Sequence, residues 1–490
     1  MLADLGRLGR LTPRVATDFR ERVLATKYDE RVPLPAERQD ITQVPEELRV
    51  PLIDWALRRD THPAAGLARL FQYLLAVPKT TLDQSVGAEV RAALEDAGIL
   101  RSEGANVRSL LLMVVADGVF IWSDDASAGA EAVMTPGPTT VDLINILPDP
   151  LAGSFLDVGT GPGTLALLAK RRGAARAVAT DISARAAALA RFNADFNAIA
   201  IEVREGDMYA PVGDERFDWI ASQPPYVTHP SDEPGVTFLH GGAMGDELAF
   251  RYLSGLASHL RPDGIGIGLF DSPVRPDAAI QERVRSTIGP AADVAVFSAA
   301  GIGVDRQALG YAALADPTFG DVFARAAVRY REHLLRMRIN EVTHSLVVAR
   351  MPRATKEGWT MSLVVPRFPE TWDEVRVFLR GIDLAVAGDE AIASARVRPR
   401  DGAIVVTERA PGASRDGEVR SIRFAKHTIA LERELTQAGA VIFDLLAAES
   451  SVASTIDRFA KAMEQPAAEV RPLVTSFVRD CLIRALLVPD

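Results

Sequence analysis

The sequence predicts an α/β protein, a doubly wound and mostly parallel sheet with a helical unit before it and an α+β unit after it. Three observations carry this expectation. From residue 133 to residue 352, short apolar runs (155–158, 177–180, 201–203, 217–221 and 264–270) alternate with helical patterns (164–172 and 184–196), which is the rhythm of βα units. The first run ends in a glycine-rich turn that opens the first helix, as ligand-binding turns of doubly wound folds do. The flanks follow another rhythm: leucines at helical spacing on the N-terminal side, and strands followed by three amphipathic helices on the C-terminal side.

Length and charge narrow the classes. At about 150 residues per domain, 490 residues suggest three units, which we place at 1–130, 131–352 and 353–490. A formal net charge of −10 speaks against a protein that grips long nucleic acid. One cysteine, Cys481, excludes an internal disulfide framework and a cysteine-based zinc site. Histidines are scattered without a ligand spacing, so no metal is expected. The longest apolar stretch, 110–122, is broken by Asp117 and Gly118, and the N-terminal leucines are interrupted by Asp4, Arg7 and Arg10, unlike a secretory signal. A cytoplasmic protein is expected.

In the N-terminal unit, helices are expected over 15–25, 46–57, 67–75 and 83–96, the last closed by Gly98. Strands 110–116 and 119–122 flank Asp117-Gly118, a two-residue hairpin signal. Helices followed by a hairpin suggest a small winged-helix unit. Beyond residue 357, strands are expected over 359–365, 403–407 and 419–431. Three helices then follow, the third opened by Pro466.

Four loops carry the chemistry. Asp157-Val-Gly159-Thr160-Gly161-Pro-Gly163 follows the first strand; its glycines permit a tight turn and close approach of a ligand to backbone. No GK[ST] follows, and the glycines run GxGxG, so neither a P-loop nor a dinucleotide fingerprint is present. Asp181 ends the second strand, beside Ile182, where a carboxylate can accept both hydroxyls of a ribose. Asp207-Met208 follows the third strand, where an acid can accept an adenine amine and the methionine can cover the ring. Ser222-Gln223-Pro224-Pro225-Tyr226 follows the fourth strand, a loop stiffened by two prolines and walled by an aromatic ring.

Together these residues resemble the class I S-adenosylmethionine-dependent methyltransferases, in particular the N-methyltransferases with an (N/D/S)PPY loop, such as the release-factor glutamine methyltransferases. The resemblance covers about residues 133–350. It implies a Rossmann-like seven-stranded sheet and S-adenosylmethionine as cofactor, with S-adenosylhomocysteine as product. It implies that Asp157, Gly159, Thr160, Gly161 and Gly163 hold the methionine part, Asp181 and Ile182 the ribose region, and Asp207 and Met208 the adenine. Gln223, Pro224 and Tyr226 would hold the acceptor nitrogen, with Gln223 also reaching the cofactor. The family's Asn or Asp is Gln223 here, so the family's acceptor specificity does not transfer directly. Gly241-Gly242-Ala-Met-Gly245-Asp246 is similar to an acceptor-side loop of the release-factor enzymes, which makes His229, His240, Asp246 and Tyr252 candidate substrate contacts. No pairing in the sequence clearly marks a general base; His229, three residues beyond Tyr226, is the candidate that could serve.

Residues 424–489 are similar to the PqqD-like winged-helix fold, which implies recognition of a peptide leader by strand addition. The expected activity is N-methylation of a peptide, protein or peptide-derived natural product, including a ribosomally made precursor peptide. Alternatives are methylation of a release factor, ribosomal component or RNA, oxygen methylation, or a non-catalytic cofactor-binding protein.

Overall fold

The computed structural model describes residues 2–28, 46–230, 236–315, 320–352, 357–409, 418–424 and 429–490. At its centre lie strands β1 (Ser154–Val158), β2 (Arg176–Asp181), β3 (Glu202–Glu205), β4 (Phe217–Ser222), β5 (Leu260–Pro273), β6 (Asp293–Ser298), β7 (Glu341–Arg350) and β8 (Thr360–Val364). Their order in the sheet is β3-β2-β1-β4-β5-β7-β6-β8. Strands β3 to β5 run parallel, and β7 lies antiparallel to both β5 and β6. All five residues of β1 are buried, because helices cover both faces, so the strand reads as a continuous apolar run. The strand order reverses between β1 and β4, and a doubly wound sheet opens its ligand crevice at such a point.

The sheet departs from the expected seven strands. It has nine: the short strand Ile302–Gly303 pairs antiparallel with the start of β7, and β8 comes from beyond residue 357 and pairs in parallel with β6. Helix Trp372–Val386 follows it and lies on the sheet, with the Phe378 ring 5.1 Å from Phe297 and the Trp372 ring 4.8 Å from Trp219. Arg350 on β7 joins Asp293 on β6 to Asp383 on this helix. One continuous apolar core therefore runs from β1 and its neighbouring helices into the three C-terminal helices, Gln437–Glu449, Val452–Ala462 and Ala467–Ile483. The expected division at 352/353 falls on residues 353–356, outside the described residues, and the parts on its two sides share that core. The expected strand 419–431 is described as Val419–Phe424; residues 425–428 lie outside the described residues. The last strand, Leu487–Pro489, pairs with Val397–Pro399.

In the N-terminal unit, the helix expected over 83–96 is two helices, Lys79–Val86 and Ala88–Asp96, broken at Gly87, whose φ is +87°. A hairpin absent from the sequence reading, Leu100–Glu103 with Asn106–Ser109, joins Val77–Pro78 in a three-stranded sheet beside these helices. The expected hairpin is present as Leu112–Ala116 and Val119–Ser123, with Asp117 and Gly118 both at positive φ, but it serves a different purpose. Its second strand lies against helix Ala184–Asn197 of the central unit. Asn193 accepts from the Trp122 N–H at 2.9 Å and donates to the Trp122 carbonyl at 2.9 Å; Asn197 does the same to Phe120 at 2.8 and 2.7 Å. Two asparagines one helical turn apart thus act as the missing neighbour strand. Rings of Phe19, Phe71, Phe120, Trp122 and Phe196 fill the space behind them.

Candidate active site

The functional loops line one edge of the sheet, at the carboxyl ends of its parallel strands. Neighbouring strands lie about 4.8 Å apart, so strand order is also the order of the side chains: Asp207 after β3, Asp181 ending β2, Asp157 in β1, Ser222 to Tyr226 after β4, Asp271 in β5. Registers Val158↔Ser222 and Ser222↔Gly268 bring the glycine turn, the PPY loop and the end of β5 together.

The glycine turn is built from inside. The buried Asp157 carboxylate accepts from the Thr160 hydroxyl at 2.6 Å and the Ala166 N–H at 3.1 Å. Burial pushes its pKa up to about 7, with the neighbouring Asp181 charge adding to the rise. Asp157 and Thr160 therefore shape the loop from beneath. Gly163, at φ +91°, is tightly packed: a Cβ there would lie 3.2 Å from the Ala190 side chain. Gly159 and Gly161, also at positive φ, leave the outer side open: a Cβ on Gly159 meets nothing within 4 Å, and on Gly161 only Val133 at 4.0 Å. Asp181 accepts from the Gly161 N–H at 2.8 Å and the Ser183 N–H at 2.9 Å, and burial raises its pKa. Beside it the Ile182 side chain is 60% exposed, an apolar surface at a polar edge. Asp207 is exposed and paired with Arg251 at 2.7 Å. Met208, at φ +50°, accepts from the Thr180 hydroxyl through its carbonyl.

These residues fit S-adenosylmethionine. An open backbone cradle adjoins a carboxylate with unused lone pairs, an exposed aliphatic face and an outer acid, which suit in turn the methionine, ribose, adenine face and adenine amine.

The acceptor side begins at Gln223. Its Oε1 accepts from the Thr140 hydroxyl at 2.7 Å, and its Nε2 donates to the Thr139 hydroxyl. Both threonines lie in the first turn of helix Pro138–Ile146. The extra methylene of glutamine is thus taken up in a bridge to this helix. Tyr226 bonds with Thr139 and Gln223, and its pKa is raised by burial and by the charge of Asp271. The glycine-rich loop clamps the PPY loop from outside. A Cβ on Gly241 would stand 2.4 Å from the Pro225 carbonyl oxygen, and His240–Gly242 pairs in parallel with Val227–Thr228.

The candidate substrate contacts are placed differently. Asp246 is buried and committed to Arg283 and the Ser272 hydroxyl, both at 2.6 Å. Tyr252 is wholly buried, its hydroxyl donating to the Ile267 carbonyl at 2.7 Å. Both are corrected to structural residues, because burial leaves them no open face. His240 accepts from the Val236 N–H at 3.0 Å and lies 3.3 Å from the Tyr330 hydroxyl; burial and the neighbouring His229 lower its pKa to about 4. His229 stacks on it at 4.4 Å. This pair braces the loop.

The sequence reading missed Thr139, Thr140, Asp271 and His344. His344 donates from Nδ1 to Asp271 at 2.6 Å, and its ring stands 5.9 Å from that of Tyr226. The two residues are far apart along the chain and are opposed only through the β5–β7 register, so no local motif marks them.

Comparison with known proteins places these features. The methyltransferase small domain family matches residues 137–238. A putative protein N5-glutamine methyltransferase of Methanocaldococcus jannaschii is 30% identical over 137 residues, covering 27% of this chain and 69% of that protein. A release factor glutamine methyltransferase of Geobacter sulfurreducens is 42% identical over 134 residues, covering 24% of this chain and 47% of that protein. The chain thus spans about half the length of this release-factor relative. Among solved structures, a ribosomal protein L11 methylase of Lactobacillus delbrueckii subsp. bulgaricus is 29% identical, covering 27% of this chain and 60% of that one, with a TM-score of 0.22.

Proposed function

Because the chain belongs to the class I S-adenosylmethionine-dependent methyltransferases, we propose that it methylates a nitrogen of a protein or peptide, with the glutamine side-chain amide as the leading acceptor. The carrying observation is the register that sets the glycine turn beside the PPY loop, with Val158 opposite Ser222. The relatives' named activity on protein glutamine supports the acceptor class.

The sulfonium of the bound cofactor supplies an activated methyl group. The chain's own work is then positioning. Asp181 and the open glycine cradle fix the donor half. Pro224 and Pro225 carry no N–H, so they stiffen the loop without competing for its acceptor groups. Tyr226 supplies a wall that excludes water beside the acceptor. Gln223, pinned by Thr139 and Thr140, holds the loop against helix Pro138–Ile146.

The finer part of the proposal concerns the flanks. The edge strand Ala403–Glu408 of the three-stranded C-terminal sheet exposes Ile404 and Val405, which supports docking of an extended peptide, such as the leader of a ribosomally made precursor, by strand addition. The helices and hairpins at both ends support winged-helix-like modules. Among the described residues no helix is long and apolar enough to cross a membrane.

The test is transfer of a labelled methyl group to glutaminyl peptides and to fractions of source-cell extract. Label released as methylamine on acid hydrolysis is the expected result. Label released as methanol by mild base would establish an ester and overturn nitrogen methylation.

A further inference from the structure

We propose that His344, oriented by Asp271, is the proton acceptor of the methyl transfer. The proposal rests on the nitrogen-acceptor reading above. Asp271 and His344 are register partners on antiparallel β5 and β7, at the edge that carries the PPY loop. The 2.6 Å bond to Asp271 places the imidazole proton on Nδ1 and leaves the lone pair on Nε2. Nε2 is shielded from solvent and makes no hydrogen bond among the described residues. A buried polar atom without a partner is rare in native proteins, and a catalytic role is one of its few explanations. The ring stands edge-on to Tyr226 and lies 5.4 Å from Phe368, in the segment that follows β8. Aromatic walls on both sides therefore confine what Nε2 can meet.

The titratable groups facing His344 are Asp271, Tyr226 and Asp142, the last from helix Pro138–Ile146. Tyr311 stands behind, 3.5 Å from the second Asp271 oxygen, with Gln307 at 3.2 Å. Two of these groups are carboxyls, and the segment that carries Phe368 adds Glu370, which acts on Asp142, and Arg367, which is paired with Glu374.

The step balances. The lone pair of the acceptor nitrogen forms the N–C bond, and the C–S bond breaks with its electrons passing to sulfur, giving S-adenosylhomocysteine. The surplus proton on nitrogen passes to His344 Nε2, and the resulting imidazolium keeps its Nδ1–H on Asp271. The proton leaves to solvent when the product departs.

Two readouts test this on the full chain. In protein labelled with ¹⁵N at histidine, NMR should show His344 as the Nδ1–H tautomer at pH 8, with Nε2 taking its proton as pH falls. Asp271→Asn should move that midpoint downward. A proton on Nε2 at pH 8 overturns the proposal without any acceptor being needed. The second readout uses whichever acceptor the wild type labels. His344→Gln should bind S-adenosylmethionine as the wild type does, lose about 100-fold in kcat, and lose the acid limb of the pH–rate profile. Asp271→Asn, a change at a positioning residue, should lower kcat and shift that limb, with rescue by Asp271→Glu. An unchanged rate and profile in His344→Gln overturns the proposal. Failure of glutaminyl peptides alone would remove the glutamine reading and leave both readouts of His344 in force.

Discussion

Asp181 accepts from two backbone amides, those of Gly161 and Ser183, and its oxygens keep further lone pairs for a ribose. Asp181→Ala removes both the anchor of the cradle and the acceptor. Affinity for S-adenosylmethionine should fall at least tenfold, about 1.4 kcal/mol or more, by calorimetry; an unchanged Kd would refute the ribose role. Asp157 makes a different prediction. Its pKa is pushed up to about 7 by burial, so near pH 7 it is divided between neutral and ionised forms. A cationic ligand favours the ionised form. Affinity for S-adenosylmethionine should therefore rise as pH goes from 6 to 8, with a proton released on binding. In Asp157→Asn the slope should vanish. A wild-type affinity that is flat across this range would sink the argument.

The elements impose their own constraints. The loop 240–245 approaches the PPY loop backbone to backbone, and a Cβ at Gly241 would overlap the Gly245 and Pro225 carbonyls. Gly241→Ala must displace one loop from the other. It should reduce kcat by more than tenfold while leaving cofactor affinity near that of the wild type. Equal loss of both would mean that the clamp also supports the donor half. The asparagine pair on helix Ala184–Asn197 predicts a stability effect. Asn197→Ala leaves the Phe120 N–H and carbonyl buried without their partner, at a cost of about 1–3 kcal/mol. Thermal unfolding should register this as a lowered Tm. No change would show that water or a neighbouring strand replaces the side chain.

At the scale of the whole molecule, the C-terminal third is part of the sheet. It supplies β8 and covers the face that carries Phe297. Removing residues after 352 would leave β6 as a bare edge and expose the shared core. The truncated chain should fail to fold cooperatively or to bind S-adenosylmethionine. A soluble truncation with native affinity would show two independent units. Phe378→Ala is the milder probe. It opens a cavity beneath the sheet and should cost about 3–5 kcal/mol with the site's residues intact.

The loops at the carboxyl edge of the sheet were legible in the sequence because each of them is local. A glycine turn after a strand, acids at successive strand ends and a PPY loop each follow their own strand within a few residues. The periodicity of the C-terminal helices and the Asp117-Gly118 turn were legible for the same reason. Strands β6 and β7 were missed, as was the helix that follows β8, and with them the pairing of Asp271 with His344. Asp246 and Tyr252 were misassigned because a motif gives a residue's position but not its burial. Local chain stiffness and hydrophobic period act over a turn or a strand, and they determined the sheet class and the loops at its carboxyl edge. Strand register and the burial of side chains between elements act across the whole chain. Only the folded protein decided that Gln223 bridges to Thr139 and Thr140, that the last third completes the sheet, and that an imidazole meets a carboxylate beside the acceptor loop.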